Sequence, residues 1–300
     1  GLVKGESSFL DWREQTYPKW MQPADIYESQ NLGNNAVHYQ ANNVLSQMAT
    51  ELKDINAAAK YKGIADRIKK GINDYLWLPE KGYYAQFRYG RNYKFVSPRA
   101  EALGEALCVI FGIADEARAK QVVASTPVTS FGISCIYPQI PNIPPYHNNA
   151  VWPFVQTYWL WAAAKAGNER SVSESIFAIY RPAALFLTNK ENFVVDNGDF
   201  NGTQINSSVM LWSLSGNISI VQKVFFGIRF NPDGLSFEPF VPKILEGKRM
   251  LENFKYRDAV LNIELEGYGN VIKSFLLDGK VQSKEFVPAS VKGVHTIKII

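Results

Sequence analysis

The chain has 300 residues, 46% of them apolar, with 32 basic and 28 acidic side chains and a net charge of +4. That is enough to build one large or two smaller cores. The charges are scattered, with no basic block and no basic-aromatic stripe, which argues against a nucleic-acid partner. The longest apolar runs, "LCVIFGI" and "YWLWAAA", fall far short of a bilayer span, so no membrane partner is expected. Two cysteines and three dispersed histidines (His38, His147, His295) offer no metal-ligand spacing, and neither a metal nor a cofactor is expected. Cys108, inside "ALCVIFG", reads as a buried thiol.

The chain opens on "GLVKGESS", which reads as the middle of a longer protein and shows no signal peptide. The next stretch, "ESSFLDWRE", sets Asp11 between Leu10 and Trp12, beside Arg13 and flanked by Glu6 and Glu14. A carboxyl kept partly dry by such neighbours has a raised pKa and can act as a general acid. The alternative is an Asp11–Arg13 pair at the start of a helix.

From about 33 to 222 apolar residues recur at helical spacing. Val37, Ala41, Val44, Leu45, Met48 and Leu52 share one face; Tyr61, Ile64, Ala65, Ile68, Ile72 and Leu76 share the next. Asp54 caps the second helix. Further helices are expected over 98–112, 114–125, 148–166, 169–187 and 205–222. Short links at 112–114 and 167–168 alternate with long ones at 78–97, 126–147 and 188–203. Helical pairs joined in that way collect their long loops on one face. Within the first long link, "GYYAQFRYGRNYKF" reads as a β-hairpin turning at Gly90-Arg91-Asn92.

"IPPYHNNAVWPF" places Tyr146, His147, Asn149 and Trp152 at a helix start on that face, with Asn148 or Asn149 as cap. His147 offers a hydrogen bond to a sugar hydroxyl and Trp152 a ring to stack on it; the bland alternative is a cap beside a buried Trp and a satisfied His. "NKENFVVDNGDFNGTQINSS" adds Glu191, Asp196 and Asp199. Its Asp-Asn-Gly-Asp run lacks the remaining ligands of a calcium loop. No phosphate loop, Gly-x-Ser-x-Gly elbow or His-Glu-x-x-His helix occurs, which leaves two-carboxylate chemistry.

After Phe226 short alternating runs separated by Gly, Pro and Asp-Gly turns replace the helical pattern. Asp278-Gly279 signals a hairpin. The expected division is therefore 1–225, helical, and 226–300, a small antiparallel β domain.

In their order these segments resemble the six-hairpin (α/α)6-barrel glycoside hydrolases: trehalases, glucosidase I-type enzymes, glycogen-debranching glucosidases and α-L-rhamnosidases. "ESSFLDW" is similar to the trehalase Glu-Ser-Gly-Trp-Asp signature, and the resemblance maps its general acid onto Asp11. "QPADIYESQNLGNNAVHYQANNVLSQMATEL" resembles the Pro-Val-Asp-Leu-Asn segment and its following helix. "IKKGINDYLWLPEKGYYAQF" is similar to a helix, Leu-Trp, turn, Gly-Tyr-Tyr passage. "YHNNAVWP" resembles a motif of debranching enzymes, rhamnosidases and glycoside phosphorylases. "FFGIRFNPDGLSFEPFVP" is similar to the exit into a C-terminal β-sandwich.

The resemblance implies a mainly α fold of toroid-type helical hairpins, an incomplete barrel, followed by the β domain. A full barrel has twelve helices and about seven are read here, so the chain resembles the C-terminal part of a larger enzyme. The missing N-terminal part, or a second copy of the chain, would then be its partner. The implied activity is inverting hydrolysis of an α-linked oligosaccharide or glycan, with Asp11 as acid and Glu191 or Asp196 as base. Glu6, Trp12, Arg13, Tyr146, His147, Asn149 and Trp152 are the implied sugar contacts. Ser8 and Asn149 stand where the family motifs carry glycine. A degenerate carbohydrate-binding scaffold and a phosphorylase are the alternatives. The compartment is not legible from the residues; the resemblance implies a bacterial periplasmic or secreted setting.

Overall fold

The structure, a computed structural model, describes residues 1–6 and 16–300, which divide into two compact units, Gly1–Leu214 and Ser215–Ile300.

The first unit is built from helical hairpins. After a short helix α1 (Pro23–Tyr27) come α2 (Leu32–Glu51) and α3 (Ile55–Tyr75), α4 (Ala102–Ile110) and α5 (Glu116–Ser125), then α6 (Pro153–Lys165) and α7 (Glu169–Phe186). Each tight link uses a side-chain cap, because a helix leaves its first N–H groups without partners. Asp54 accepts from the Ala57 amide, Asp115 from Arg118 and Asn168 from Ser171. Asp54 thus takes the role its spacing suggests.

Contacts between helices sort them into two rows. α2 packs on α4 and α4 on α6, while α3, α5 and α7 pack outside their own partners. α4 is buried at every residue, as an inner helix of a toroid must be. The outer helix α3 buries only Ala65, Ile68, Gly71 and Ile72 and turns its polar face to water.

The first two long links run from an outer helix to the N-terminus of the next inner one, and the third follows the outer helix α7. Small antiparallel pairings tie these links together: Gln30–Asn31 with Phe87–Tyr89, Ala100–Glu101 with Ile136–Tyr137, and Ala150–Val151 with Phe193–Val194. Phe87–Tyr89 also pairs with Phe95–Val96, forming the hairpin expected in "GYYAQFRYGRNYKF". A further helix, α8 (Leu211–Ser219), runs into a π-helical stretch at Ile220–Phe225.

The second unit holds two sheets. One orders Gly247–Tyr256, Ala259–Gly267, Gly293–Ile299, Phe275–Leu277 and Lys280–Val281; the other orders Ile228–Asn231, Gly234–Phe237 and Phe286–Pro288. Leu277 pairs with Lys280 across Asp278 (φ 50°) and Gly279 (φ 75°), both left-handed as the two-residue hairpin requires. The expectation of a wholly antiparallel domain needs correction, because Ala259–Gly267 and Gly293–Ile299 pair in parallel.

A second correction concerns fold class. Among the described residues 39% are helical and 23% are in strands, so helical hairpins plus a β unit describe the chain better than "mainly α". The long links, expected as loops, contribute many of the short strands. No helix among the described residues is long and apolar enough to cross a membrane. Both cysteines are buried free thiols, and burial pushes both well up from their ordinary range.

Candidate active site

The loop Tyr146–Trp152 ends differently from its sequence pattern. The helix begins at Pro153, not at 148, and Trp152 occupies its N-cap position with extended backbone (φ −110°, ψ 120°) and no side-chain cap. Pro153 causes this: its ring disfavours helical backbone in the preceding residue and suits the first helical position. Neither asparagine caps the helix. Asn148 instead stitches the loop, accepting from the Ile140 amide (2.7 Å) and donating to the carbonyls of Ile140 (3.1 Å) and Ile143 (2.9 Å). Asn149 adopts a left-handed φ of 53°, which asparagine tolerates.

That loop carries an aromatic cluster. The Trp152 indole N–H donates to the Tyr146 carbonyl at 2.6 Å. Ring centroids lie 5.1 Å apart for Tyr146–Trp152, 4.9 Å for His147–Trp152 and 5.6 Å for Trp152–Trp212, with Phe154 stacked on Trp212 at 4.9 Å. Tyr146, His147 and Trp152 are all buried. Trp152 therefore sits inside the cluster instead of presenting a free face.

The pairing of Ala150–Val151 with Phe193–Val194 brings the 191–196 segment against this loop. Here the two candidate bases separate. Glu191 is only 8% exposed, and the Tyr146 hydroxyl donates to its Oε1 at 3.4 Å. Its own amide donates to the Ser207 carbonyl at 3.0 Å, which holds the residue at the loop base. Asp196 is exposed, and its carboxylate accepts from the Asn149 side-chain amide at 2.9 Å. One carboxylate faces the aromatic cluster; the other ties two loops together in water.

Asp11, Trp12 and Arg13 lie outside the described residues. Glu6 is described, and its carbonyl accepts from the Asn34 side chain. Thr16, the first described residue after the gap, is buried and hydrogen-bonds His147 Nδ1 at 2.9 Å. Its carbonyl accepts from the Gln86 side chain at 2.8 Å. Thr16 thus joins two of the long links, the one that carries Gln86 and the one that leads to His147.

Two residues were not singled out in the sequence: Glu101 and Glu105. Both are fully buried, Glu101 at the N-cap position of the inner helix α4 and Glu105 in its first turn. Glu105 Oε1 accepts from the Tyr84 amide at 2.8 Å. Burial pushes the Glu105 carboxyl well above its ordinary range; the Tyr84 hydrogen bond opposes this and the charge of Glu101 adds to it. Glu101 approaches the start of α2, where a Cβ on Gly33 would lie 3.4 Å from Glu101 Oε1. The signal was present: two glutamates four apart in the apolar run "AEALGEALCVI" share one helix face. Among the described residues no group of three His, Cys, Asp or Glu is placed to hold a metal ion.

The family model of the mannosylglycerate hydrolase MGH1-like glycoside hydrolase domain matches residues 11–201. Among solved structures, the chain is similar to neutral trehalase Nth1 from Saccharomyces cerevisiae (TM-score 0.52, 13% identity, covering 65% of this chain and 38% of that one). It is also similar to a sialidase (TM-score 0.61, 17% identity, covering 85% of this chain and 26% of that one). No curated protein matches it. At these identities the two structures speak for the fold alone, and the chain spans well under half of either.

Proposed function

We propose a function from one premise: the chain belongs to the family of mannosylglycerate hydrolase MGH1-like glycoside hydrolase domains. It is a glycosidase that cleaves an α-linked glycoside or oligosaccharide with inversion, Asp11 serving as general acid and Glu191 as general base. The observation that carries this choice of base is the burial of Glu191 beside Tyr146, whose hydroxyl donates to Oε1.

A general base needs a fixed carboxylate with water on one side and substrate beyond it. The Tyr146 hydrogen bond orients the Glu191 carboxylate, which would take the proton of the attacking water. Its burial beside Tyr146 holds that carboxylate in one orientation and limits its access to bulk solvent. Asp196, exposed and engaged with Asn149, has neither property and serves as a loop clasp. Inversion requires carboxyls about 6.5–9.5 Å apart, leaving room for that water between them. His147, held by Thr16, positions the loop that carries Tyr146, and Trp152 forms its packed floor. Glu6, Trp12 and Arg13 are assigned to sugar hydroxyls and the sugar ring face by the motif alone.

The test uses nitrophenyl α-mannoside, α-glucoside and α-rhamnoside together with mannosylglycerate. Glu191→Gln is expected to lower kcat by about 10²–10⁴, the range of a lost general base, with the melting temperature kept. Asp11→Asn is expected to lower turnover of poor leaving groups most, and Asp196→Asn to stay within about threefold of wild type. Proton NMR of the first-formed anomer checks inversion. Equal loss in Glu191→Gln and Asp196→Asn would sink the choice of base. Turnover that requires inorganic phosphate and releases a sugar phosphate would replace hydrolysis by phosphorolysis. Sugar binding without turnover on every substrate would reduce the chain to a scaffold.

A further inference from the structure

We propose that Trp20, Phe95 and Tyr93 form a platform that binds the distal sugars of a neutral oligosaccharide. Beneath it lies a small buried cluster of Tyr17, Met21, Ile26, Phe87 and Tyr89, which fastens the 17–27 segment to the hairpin around Gly90. Phe95 covers part of that cluster, its ring 5.6 Å from Tyr89 and 6.3 Å from Phe87. Trp20 nonetheless lies over it with 55% of its surface exposed, its ring 5.6 Å from Phe95 and 6.3 Å from Tyr89. Phe95 is 40% exposed, and Tyr93, beside the hairpin turn, is 90% exposed. Trp20 and Phe95, large neighbouring rings left partly in water, mark a contact surface, and Tyr93 adds a third exposed ring on the same hairpin.

The surroundings identify the occupant. Asp25 accepts from the Tyr89 hydroxyl and lies 3.8 Å from the Arg91 guanidinium, whose side chain is largely exposed. Lys94 donates to the Gly90 carbonyl. Flat apolar faces therefore border a paired anion and cation. A pyranose presents the matching chemistry: a face of C–H groups that lies on a ring, and an equator of hydroxyls that both donate and accept. Glu28 also feels the charges of Lys94 and Arg91, so with Asp25 two anions stand against two cations and leave no strong field of one sign, which favours a neutral ligand over an acidic one. The chain also ties the platform to the His147 loop. Trp20 follows Thr16 by four residues, a reach of at most about 14 Å, and Thr16 holds His147. A sugar chain entering at Glu191 can extend onto it.

The continuity with catalysis rests on the glycosidase reading; the sugar binding does not. The experiment measures calorimetric affinity of the full chain for α-linked manno- and malto-oligosaccharides of one to six sugars. In parallel it follows hydrolysis of a nitrophenyl monoglycoside. Affinity is expected to rise with chain length by about tenfold, and Trp20→Ala to remove that gain while monoglycoside hydrolysis stays unchanged. Phe95→Ala should remove part of it and Trp20→Tyr should keep part of it, and circular dichroism verifies that each variant folds.

A length-dependent gain that survives Trp20→Ala, or a wild type that shows none on either series, overturns the platform. So does a concentration-dependent dimer that Trp20→Ala abolishes without touching sugar binding, which would assign the rings to a second copy. A gain lost in Trp20→Ala while no glycoside is hydrolysed keeps the platform and removes the hydrolase. Normal hydrolysis without the gain does the reverse.

Discussion

Among the described residues, every buried polar or charged side chain lies between Thr16 and Ser213, whereas the buried side chains from Phe226 to Ile299 are all hydrophobic. The two units thus meet the cost of burial in opposite ways. The β unit excludes polar groups and packs Leu235, Leu261, Ile263 and Val287 to zero exposure. The helical unit buries Glu101, Glu105, His147, Asn148, Gln156 and Glu191 and spends hydrogen bonds to keep them. A buried polar group costs stability unless it is paired, and a core without such groups is the cheaper one to build. The residues of the proposed site belong to the unit that buries polar groups, whereas the described buried residues of the β unit form a hydrophobic core.

The largest expected effect that tests this contrast is in the β unit. Leu261→Ala should remove about 2–5 kcal/mol from that unit, seen as faster amide exchange in the strands 247–256 and 259–267. Tryptophan fluorescence will not report it, because all seven tryptophans lie at or before Trp212. If kcat for a nitrophenyl glycoside falls in proportion, the units do not divide stability from chemistry.

A somewhat smaller effect is expected from Asn148→Ala, which leaves the amide of Ile140 and the carbonyls of Ile140 and Ile143 without their partner. Such losses cost about 1–3 kcal/mol. Because Asn148 adjoins His147, KM should rise together with the lost stability. Lost stability with unchanged KM would make the loop a packing element only.

Glu105→Gln sharpens the contrast through pH. The folded carboxyl has its pKa raised, chiefly by burial, so its favourable contribution is full below the unfolded value near 4.5 and is lost as pH rises toward the folded value. Gln keeps the shape and can accept from the Tyr84 amide. The variant should match the wild-type melting temperature near pH 4.5 and exceed it increasingly toward pH 8. A constant difference across that range would remove the buried charge from the account.

The smallest effect belongs to the β surface, where Asp278 accepts from His295 Nδ1 at 2.7 Å and from the Thr296 amide at 2.9 Å. The His295 hydrogen bond, with the Thr296 amide, lowers the Asp278 carboxyl from 3.8, and Asp278 raises the His295 ring from 6.5. The Asp278 contribution is present above about 3.8 and fades as pH falls through its lowered value. The His295 contribution is present below about 6.5 and fades as pH rises through its raised value. His295→Gln should flatten a shallow loss of β-unit stability on the alkaline side; an unaltered pH profile would show the pair to be idle.

The sequence alone determined the helical hairpins and the Asp54 cap, which follow from periodicity and local hydrogen bonding; Asp115 and Asn168 cap in the same way without having been singled out, and the cap expected at Asn148 or Asn149 did not form. It also carried the motif order of a glycosidase family. What it left open were questions of environment. Glu191 and Asp196 are five residues apart in one polar loop, and nothing local tells them apart. Only the pairing of Phe193–Val194 with Ala150–Val151, joining segments some forty residues apart in the chain, buries one against Tyr146 and leaves the other in water. The start of α6 was a local matter, set by Pro153, whereas the enclosure of Trp152 by Trp212 was not. Local backbone preference acts within a few residues and can be read in order; desolvation depends on which distant segments close over a side chain, and the tertiary structure decides that.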